Sequence, residues 1–355
     1  MPVKELTPLH MKKMSDNAKS NRVTIENYSK IIAMAVLAKS PCHMVERMRN
    51  RKKRMECCNN FWLTETYEAS KVKQLLRTYL CHDRFCSNCG RIKQHIMKAR
   101  FLPLMERHQH SLYHIVLTVP DCTGEELGDM VFHMGRCFKT LVNHLNGNQK
   151  IKGLDFSSYG YQGCIRSLEI ECKGQNTFHP HFHVAAVFDN PAITEDKHIS
   201  NRFSQFGKML FSEFEIILQR MWWLIINRQR LSSEAILSED IKSMKYSCIV
   251  RKFQPDDYQK LLGYIFKMRS NENTPMHFKT FRTLYRALNG VRQIQGYGIF
   301  YNAAQQESAA YTEQEYALLA DYIAPGEQPD VAYEPLSHLA RNTAYIILKN
   351  QYRSQ

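Results

Sequence analysis

His179-Pro-His181-Phe-His183-Val-Ala-Ala-Val-Phe188 decides how this chain is read. From Phe182 onward the run is apolar and partly β-branched, the composition of a buried strand. Successive side chains of a strand alternate between faces, so His181 and His183 project together while Phe182 enters the core. Two imidazoles at that spacing can chelate one metal ion. Just upstream, Cys164-Ile-Arg-Ser-Leu-Glu-Ile-Glu171 alternates as a half-buried strand, with Glu169 and Glu171 on one face and Leu168 and Ile170 on the other. A hairpin between Glu171 and His181 sets a carboxylate beside both imidazoles, and the register decides which one. Nitrogen and oxygen ligands with open positions suit Mn²⁺ or Mg²⁺, although imidazole also accepts zinc. An isolated His-x-His is more often a solvated sheet surface. Here the strand run, the paired glutamates and a basic context favour the metal site.

The flanking segments extend the pattern. His114-Ile-Val-Leu-Thr-Val119 reads as a buried strand closed by Pro120. Glu125 to Leu145 has helical periodicity through Leu127, Met130, Val131, Met134, Phe138 and Leu141. Ser204 to Asn227 reads as one long amphipathic helix, and Lys245 to Phe253 as a further strand. Pro255-Asp-Asp-Tyr258 opens another helix, with proline and acids suited to its first turn. Strands separated by helices around a hairpin give an α+β fold with an antiparallel sheet. The expected organisation is a basic N-terminal region over 1–100, the sheet domain over 101–302, and a C-terminal segment over 303–355. That last boundary follows the charge: no Lys or Arg occurs between Ala303 and Arg341.

The helix after Pro255 carries Tyr264-Ile-Phe-Lys267, a phenol and an ammonium three residues apart on one face. A tyrosine oxygen can attack a phosphodiester, a metal can polarise the phosphate, and Lys⁺ can offset charge on the phosphoryl oxygens. With 18 tyrosines in the chain, the pair alone is weak evidence. Tyr246, inside an apparent strand, and Tyr258, in the helix's first turn, compete for the same role.

Cys81-His-Asp-Arg-Phe-Cys86-Ser-Asn-Cys89-Gly is a second constellation, with Cys57 and Cys58 upstream. Four thiolates satisfy tetrahedral Zn²⁺ and fasten a segment too small for its own core. The preferred ligands are Cys58, Cys81, Cys86 and Cys89, with Cys57 and His82 as substitutes. A redox Cys-x-x-Cys is disfavoured, since no thioredoxin-like strand-to-helix setting surrounds it. The zinc role is structural, because a closed Cys₄ site leaves no coordination position for substrate.

Bulk properties narrow the partner. The 355 residues carry a formal net charge of +14, which favours a polyanion. Arg49-Asn-Arg-Lys-Lys-Arg54 is either a solvated helix end or a phosphate contact. The most apolar stretch, Met221 to Ile226, is far short of the roughly 20 residues a membrane-spanning helix needs. The N-terminal Met1-Pro-Val-Lys-Glu-Leu lacks an apolar secretory core. An odd count of 11 cysteines, several scattered singly, fits buried thiols in a reducing compartment. The expectation is a cytoplasmic nucleic-acid protein.

In this order the elements resemble the rolling-circle replication initiators of small bacterial plasmids, in the HUH endonuclease superfamily. Arg84-Phe-Cys86-Ser-Asn-Cys89 is similar to that family's cysteine knuckle. Ile115-Val-Leu-Thr-Val-Pro120 with Gly124-Glu-Glu-Leu is similar to its first motif. Ser167-Leu-Glu169-Ile and His179-Pro-His-Phe-His183-Val are similar to its metal motif. Leu284-Tyr-Arg-Ala-Leu-Asn-Gly290, Arg292-Gln-Ile and Gly296-Tyr-Gly298-Ile-Phe resemble the segment after its catalytic tyrosine. The resemblance spans roughly Cys58 to Tyr301.

The resemblance implies Glu169, His181 and His183 as metal ligands, Tyr264 as the nucleophile and Lys267 as its helper. It also implies nicking of single-stranded DNA at an origin through a 5′-phosphotyrosine link, with the freed 3′-hydroxyl priming a host polymerase. No Walker-type phosphate loop is present, so strand separation is expected to need a host helicase. One position departs from the family: the glutamate common one helical turn before the tyrosine is Lys260 here, and Asp257 lies two turns before. The rival readings are an HUH transposase or relaxase, and a non-catalytic zinc-containing DNA-binding regulator.

Overall fold

The computed structural model describes residues 8–56, 58, 61–65, 73–78, 81–174, 176–190, 193–194, 197, 199–200, 210–238, 248–253 and 275–302. The chain begins with helices α1 (Pro8–Leu37) and α2 (Cys42–Glu56), then strands β1 (Phe61–Glu65) and β2 (Lys73–Thr78). Helix α3 (Ser87–Arg107), strands β3 (Leu112–Thr118) and β4 (Cys122–Thr123) and helix α4 (Leu127–Leu145) follow. The long strands β5 (Tyr161–Cys172) and β6 (Thr177–Phe188) precede the short β7 (Ile199–Ser200) and β8 (Leu210–Phe211). Helices α5 (Glu213–Ile226) and α6 (Ser233–Leu237), strand β9 (Cys248–Lys252), helix α7 (Phe278–Ala287) and strand β10 (Ile294–Gly298) complete the described elements. They fall into two compact units, one drawn from residues 1–97 and 271–282, the other from 98–270 and 283–309.

In the first unit, the burial of Tyr28, Ile31, Val45 and Met55 gives α1 and α2 their apolar contacts. The Tyr28 and Phe85 rings each meet Phe281 edge-on, with centroids 5.1 and 5.0 Å away. Polar contacts likewise join segments distant in sequence. Asn21 Oδ1 accepts from the Ser87 amide at 2.7 Å, and Asn27 Nδ2 donates to the Met276 carbonyl at 2.8 Å.

In the second unit the sheet runs β10-β5-β6-β3-β9, all antiparallel, with β4 added against β6. β5 and β6 form the expected hairpin, closed by the Lys173 amide donating to the Thr177 carbonyl at 3.0 Å. Ile115, Leu117, Cys164, Leu168, Phe182, Val184 and Ala186 form the buried apolar face, and all occupy one parity of their strands. Phe138, Leu141, Val142 and Leu145 of α4 and Leu218 of α5 line the same interior. Phe182 is fully buried there, meeting Phe138 at 5.5 Å and Trp222 at 6.3 Å. The Trp222 indole N–H donates to the Thr118 carbonyl at 2.8 Å, which fastens α5 to the end of β3. Gly163 and Gly298 face each other across β5 and β10, and a Cβ on Gly298 (φ 58°) would strike the Gln162 carbonyl oxygen.

One expected element is corrected. The amphipathic pattern from Ser204 to Asn227 is not a single helix, since Leu210 and Phe211 pair as a strand with Ser200 and Ile199. α5 begins at Glu213 because Ser212-Glu-Phe-Glu215 forms a capping box. The Ser212 hydroxyl accepts from the Glu215 amide at 3.2 Å, and the Glu215 carboxylate accepts from the Ser212 amide at 2.8 Å. Two otherwise orphaned donors are satisfied there, which terminates the helix in the N-terminal direction.

Candidate functional site

The register of the central hairpin settles the carboxylate. Glu169 stands directly opposite His181 and Ser167 opposite His183, so all four side chains share one face. Glu171 stands opposite His179, nearer the turn, and is exposed. Three donor atoms converge. Glu169 Oε2 lies 3.0 Å from His183 Nε2 and 3.3 Å from His181 Nε2, and the two imidazole nitrogens are 3.1 Å apart. Bonds of about 2.1 Å at right angles place neighbouring donors about 3.0 Å apart, so this triangle fits one face of a six-coordinate Mg²⁺ or Mn²⁺. Glu169 and His183 are buried, and the His181 side chain is only 12% exposed. Sheet backbone holds all three side chains, and Phe182, buried on the opposite face, anchors the strand between the two imidazoles.

His114 belongs to the same face and was not singled out from the sequence. It sits on β3 opposite Ala185, whose small side chain leaves room for the ring. The imidazole meets that of His183 edge to edge and nearly coplanar, with centroids 5.3 Å apart and planes within 10°. Burial, then the charge of His183 and of Arg251 across β9, lowers the His114 pKa to about 3. The available signal was parity: a histidine within an apolar strand, in phase with Val116 and Thr118, which pair with His183 and His181.

Beside the hairpin turn, Asp121 Oδ1 lies 2.8 Å from His179 Nδ1 and accepts from Lys173 Nζ at 3.0 Å. Asn176 accepts from the Gly124 amide at 3.3 Å and donates to Glu125 at 3.0 Å. These contacts tie the β3–α4 connection to the hairpin that carries Glu169, His181 and His183.

The cysteine cluster forms in the first unit. Cys58, Cys81, Cys86 and Cys89 are buried, and their sulfurs lie within 4.8 Å of one another. Cys58 Sγ is 3.6 Å from that of Cys86 and 3.5 Å from that of Cys89, with Cys81 and Cys89 also 3.6 Å apart. Thiolates bound tetrahedrally at about 2.3 Å stand about 3.8 Å from one another, so the set fits a structural Zn²⁺. His82 is not among the grouped donors, and its backbone turns left-handed (φ 53°) between Cys81 and Asp83. Cys57, the other substitute, lies outside the described residues. Asp83 is the buried hub next to the cluster: it accepts from the Tyr28 hydroxyl at 2.8 Å and from the Phe85 amide at 2.9 Å. Burial pushes its carboxyl above the ordinary range, against the pull of those donors and of Arg51.

A family model described as a replication protein, Rep_1, matches residues 72–334, well over half of the chain. The chain belongs to the Rep_1 family. This is the rolling-circle plasmid Rep family, and the protein is a plasmid replication initiator. No curated protein and no solved structure matches it.

The Rep_1 match takes in Cys81, Cys86, Cys89, Glu169, His181 and His183, while Cys58 precedes it. Both donor groups expected from the sequence therefore assemble in an α+β Rep_1 protein with an antiparallel sheet. Tyr264 and Lys267 lie within the match but outside the described residues, as do Tyr246, Tyr258, Lys260 and Asp257. Among the described residues no helix is long and apolar enough to cross a membrane.

Proposed function

We propose that this Rep_1 protein nicks one strand of its plasmid origin and later rejoins it, using Tyr264 as nucleophile and Glu169, His181 and His183 as metal ligands. The observation that carries the reading is the convergence of those three donors on one sheet face in a replication initiator. A divalent ion such as Mn²⁺ or Mg²⁺, when bound there, polarises the scissile phosphate. Glu169 supplies the anionic ligand, and the two imidazoles supply neutral ones from a rigid hairpin. The Tyr264 oxygen attacks phosphorus, forming the P–O(Tyr) bond as the P–O3′ bond breaks, and the proton lost by the phenol is balanced by the one the departing 3′ oxygen takes up to become a hydroxyl. Lys267 offsets charge on the phosphoryl oxygens. The 5′-phosphotyrosine bond conserves the phosphodiester energy, so rejoining needs no ATP. With Lys260 at the family's glutamate position, water-driven release is slow and strand transfer dominates termination.

Other parts of the chain have separate tasks. Residues 101–302, apart from 271–282, which group with the first unit, form the nicking domain, and residues 1–100 hold a Zn²⁺ in the Cys₄ cluster and face duplex DNA. On α2, Arg47, Lys53 and Arg54 are exposed, whereas Lys52 pairs with Glu56 at 2.8 Å and Arg51 approaches the buried Asp83 at 3.9 Å. The 303–355 segment is too poor in cations to grip DNA. The protein works in the cytoplasm, where a host helicase separates strands and a host polymerase extends the 3′-end.

The test is cleavage of a single-stranded origin oligonucleotide with Mn²⁺, followed by peptide mapping of any covalent adduct. An adduct on Tyr264 is the expected result. An adduct on Tyr246 or Tyr258 would replace the nucleophile and keep the chemistry. No Mn²⁺-dependent cleavage would leave a zinc-containing DNA-binding protein without nicking activity.

A further inference from the structure

The two imidazoles of the metal site have different supports. In each, Nε2 is the nitrogen directed at Glu169, so Nε2 is the ligand atom and Nδ1 must carry the proton. For His181 the acceptor of that proton is backbone: Nδ1 lies 3.3 Å from the His179 carbonyl oxygen within the same strand. His183 is differently placed, because its Nδ1 lies 3.1 Å from Nε2 of the His114 side chain. Nothing in strand geometry requires an acceptor at that point; one residue on the neighbouring strand provides it.

We propose that His114 is a positioning residue for metal binding, accepting the His183 Nδ1 proton at its own Nε2 and so fixing the tautomer that presents His183 Nε2 as ligand. The inference rests on the metal reading of Glu169, His181 and His183. Three features of the fold make the arrangement specific. His114 and His183 are diagonal neighbours on β3 and β6, since His114 pairs with Ala185 and Val116 with His183. The two ring planes agree within 10°, so the nitrogens meet in plane, as an N–H···N bond requires. Phe253 meets His114 edge-on at 6.2 Å, so the His114 ring is held as well. His114 therefore presents its lone pair from a ring held edge-on by Phe253, and the His183 ring cannot flip without losing the hydrogen bond. His114 touches neither the ion nor DNA in this account.

The test compares two substitutions with opposite properties. His114→Phe keeps an aromatic ring in the same place but removes the acceptor. His114→Gln gives up the ring but retains an acceptor oxygen close to the Nε2 position. Mn²⁺ binding is measured by titration on the full-length, zinc-loaded proteins without DNA, alongside circular dichroism and a His181→Ala control. Loss of an outer-shell partner of a metal-bound histidine typically weakens metal binding about 10–100-fold. That loss is expected in His114→Phe, with most of the affinity retained in His114→Gln. Equal affinity in all forms, equal loss in both variants, or retention in Phe with loss in Gln would each overturn the proposal. Nitrogen-15 spectra of the unsubstituted protein with Mg²⁺ provide a check that needs no variant: His183 should be protonated at Nδ1 and His114 unprotonated at Nε2. The reverse assignment overturns the proposal even if a variant fails to fold. An unsubstituted protein that binds Mn²⁺ no better than His181→Ala would instead remove the metal centre itself, and His114's role with it.

Discussion

Glu169→Gln is the sharpest probe of the centre, because it removes one negative charge with little change of volume. The Glu169 side chain is only 7% exposed, and its Oε2 is the one anionic atom of the converging triangle. At an effective dielectric of about 20, two unit charges 4 Å apart interact by about 4 kcal/mol, and a dication with a carboxylate by roughly twice that. Even after generous compensation from solvation, metal affinity should fall by at least about 100-fold, which is about 2.7 kcal/mol. The effect is readable as thermal stability. At a metal concentration 100 times the native Kd, binding stabilises the folded state by about 2.7 kcal/mol; after a 100-fold loss the same concentration gives about 0.4 kcal/mol. For a unit of roughly 200 residues, each kcal/mol moves Tm by about 2–4 °C. The Mn²⁺-induced rise in Tm should therefore shrink from about 5–11 °C to about 1 °C. Without metal, Glu169→Gln should match or exceed the native Tm, because a buried anion has been replaced by a neutral amide. Glu171→Gln, across from His179 and exposed, should leave the metal response unchanged. A full metal shift in Glu169→Gln, or its loss in Glu171→Gln, would refute the reasoning from register.

Three further outcomes are expected. Tyr264→Phe removes one oxygen and little volume, so DNA binding should persist while cleavage and adduct disappear; Lys267→Ala should slow adduct formation without abolishing it, and Lys260→Glu should shorten the adduct's lifetime. Cys86→Ser should release the bound zinc, measurable by metal analysis, and loosen the first unit, measurable as faster proteolysis before residue 100. Neutralising Arg47, Lys53 and Arg54 together should reduce the log–log salt slope of duplex binding by about 2.7, at roughly 0.9 per phosphate, and leave nicking of single strands intact; an unchanged slope would turn α2 away from DNA.

Several of these features were legible from one sequence because they are local or nearly so. Alternation in a strand has a period of two, so His181 and His183 had to share a face and Phe182 had to oppose them wherever the strand lay. The Cys81–Cys89 spacing is short enough to close on one ion, and Cys58, preferred from the sequence as the fourth ligand, joins the same cluster in the structure. Membership of the initiator family likewise followed the linear order of motifs, and the family match bears it out. The start of α5 was also written locally, in Ser212-Glu-Phe-Glu215, but the longer amphipathic pattern around it obscured the cap. Register and partnership across strands belonged to the tertiary structure. Glu169 and Glu171 are equivalent by parity, and only the pairing of Glu169 with His181 separates them. His114 was an ordinary residue of a buried strand until β3 lay beside β6 and brought its ring 3.1 Å from His183. Asp83 became a hub only when α1 brought Tyr28 to it across 55 residues of chain. Sequence periodicity specifies the direction of a side chain relative to its own backbone, whereas the distance between side chains on different strands depends on how those backbones pair, and a chelating site is defined by that distance.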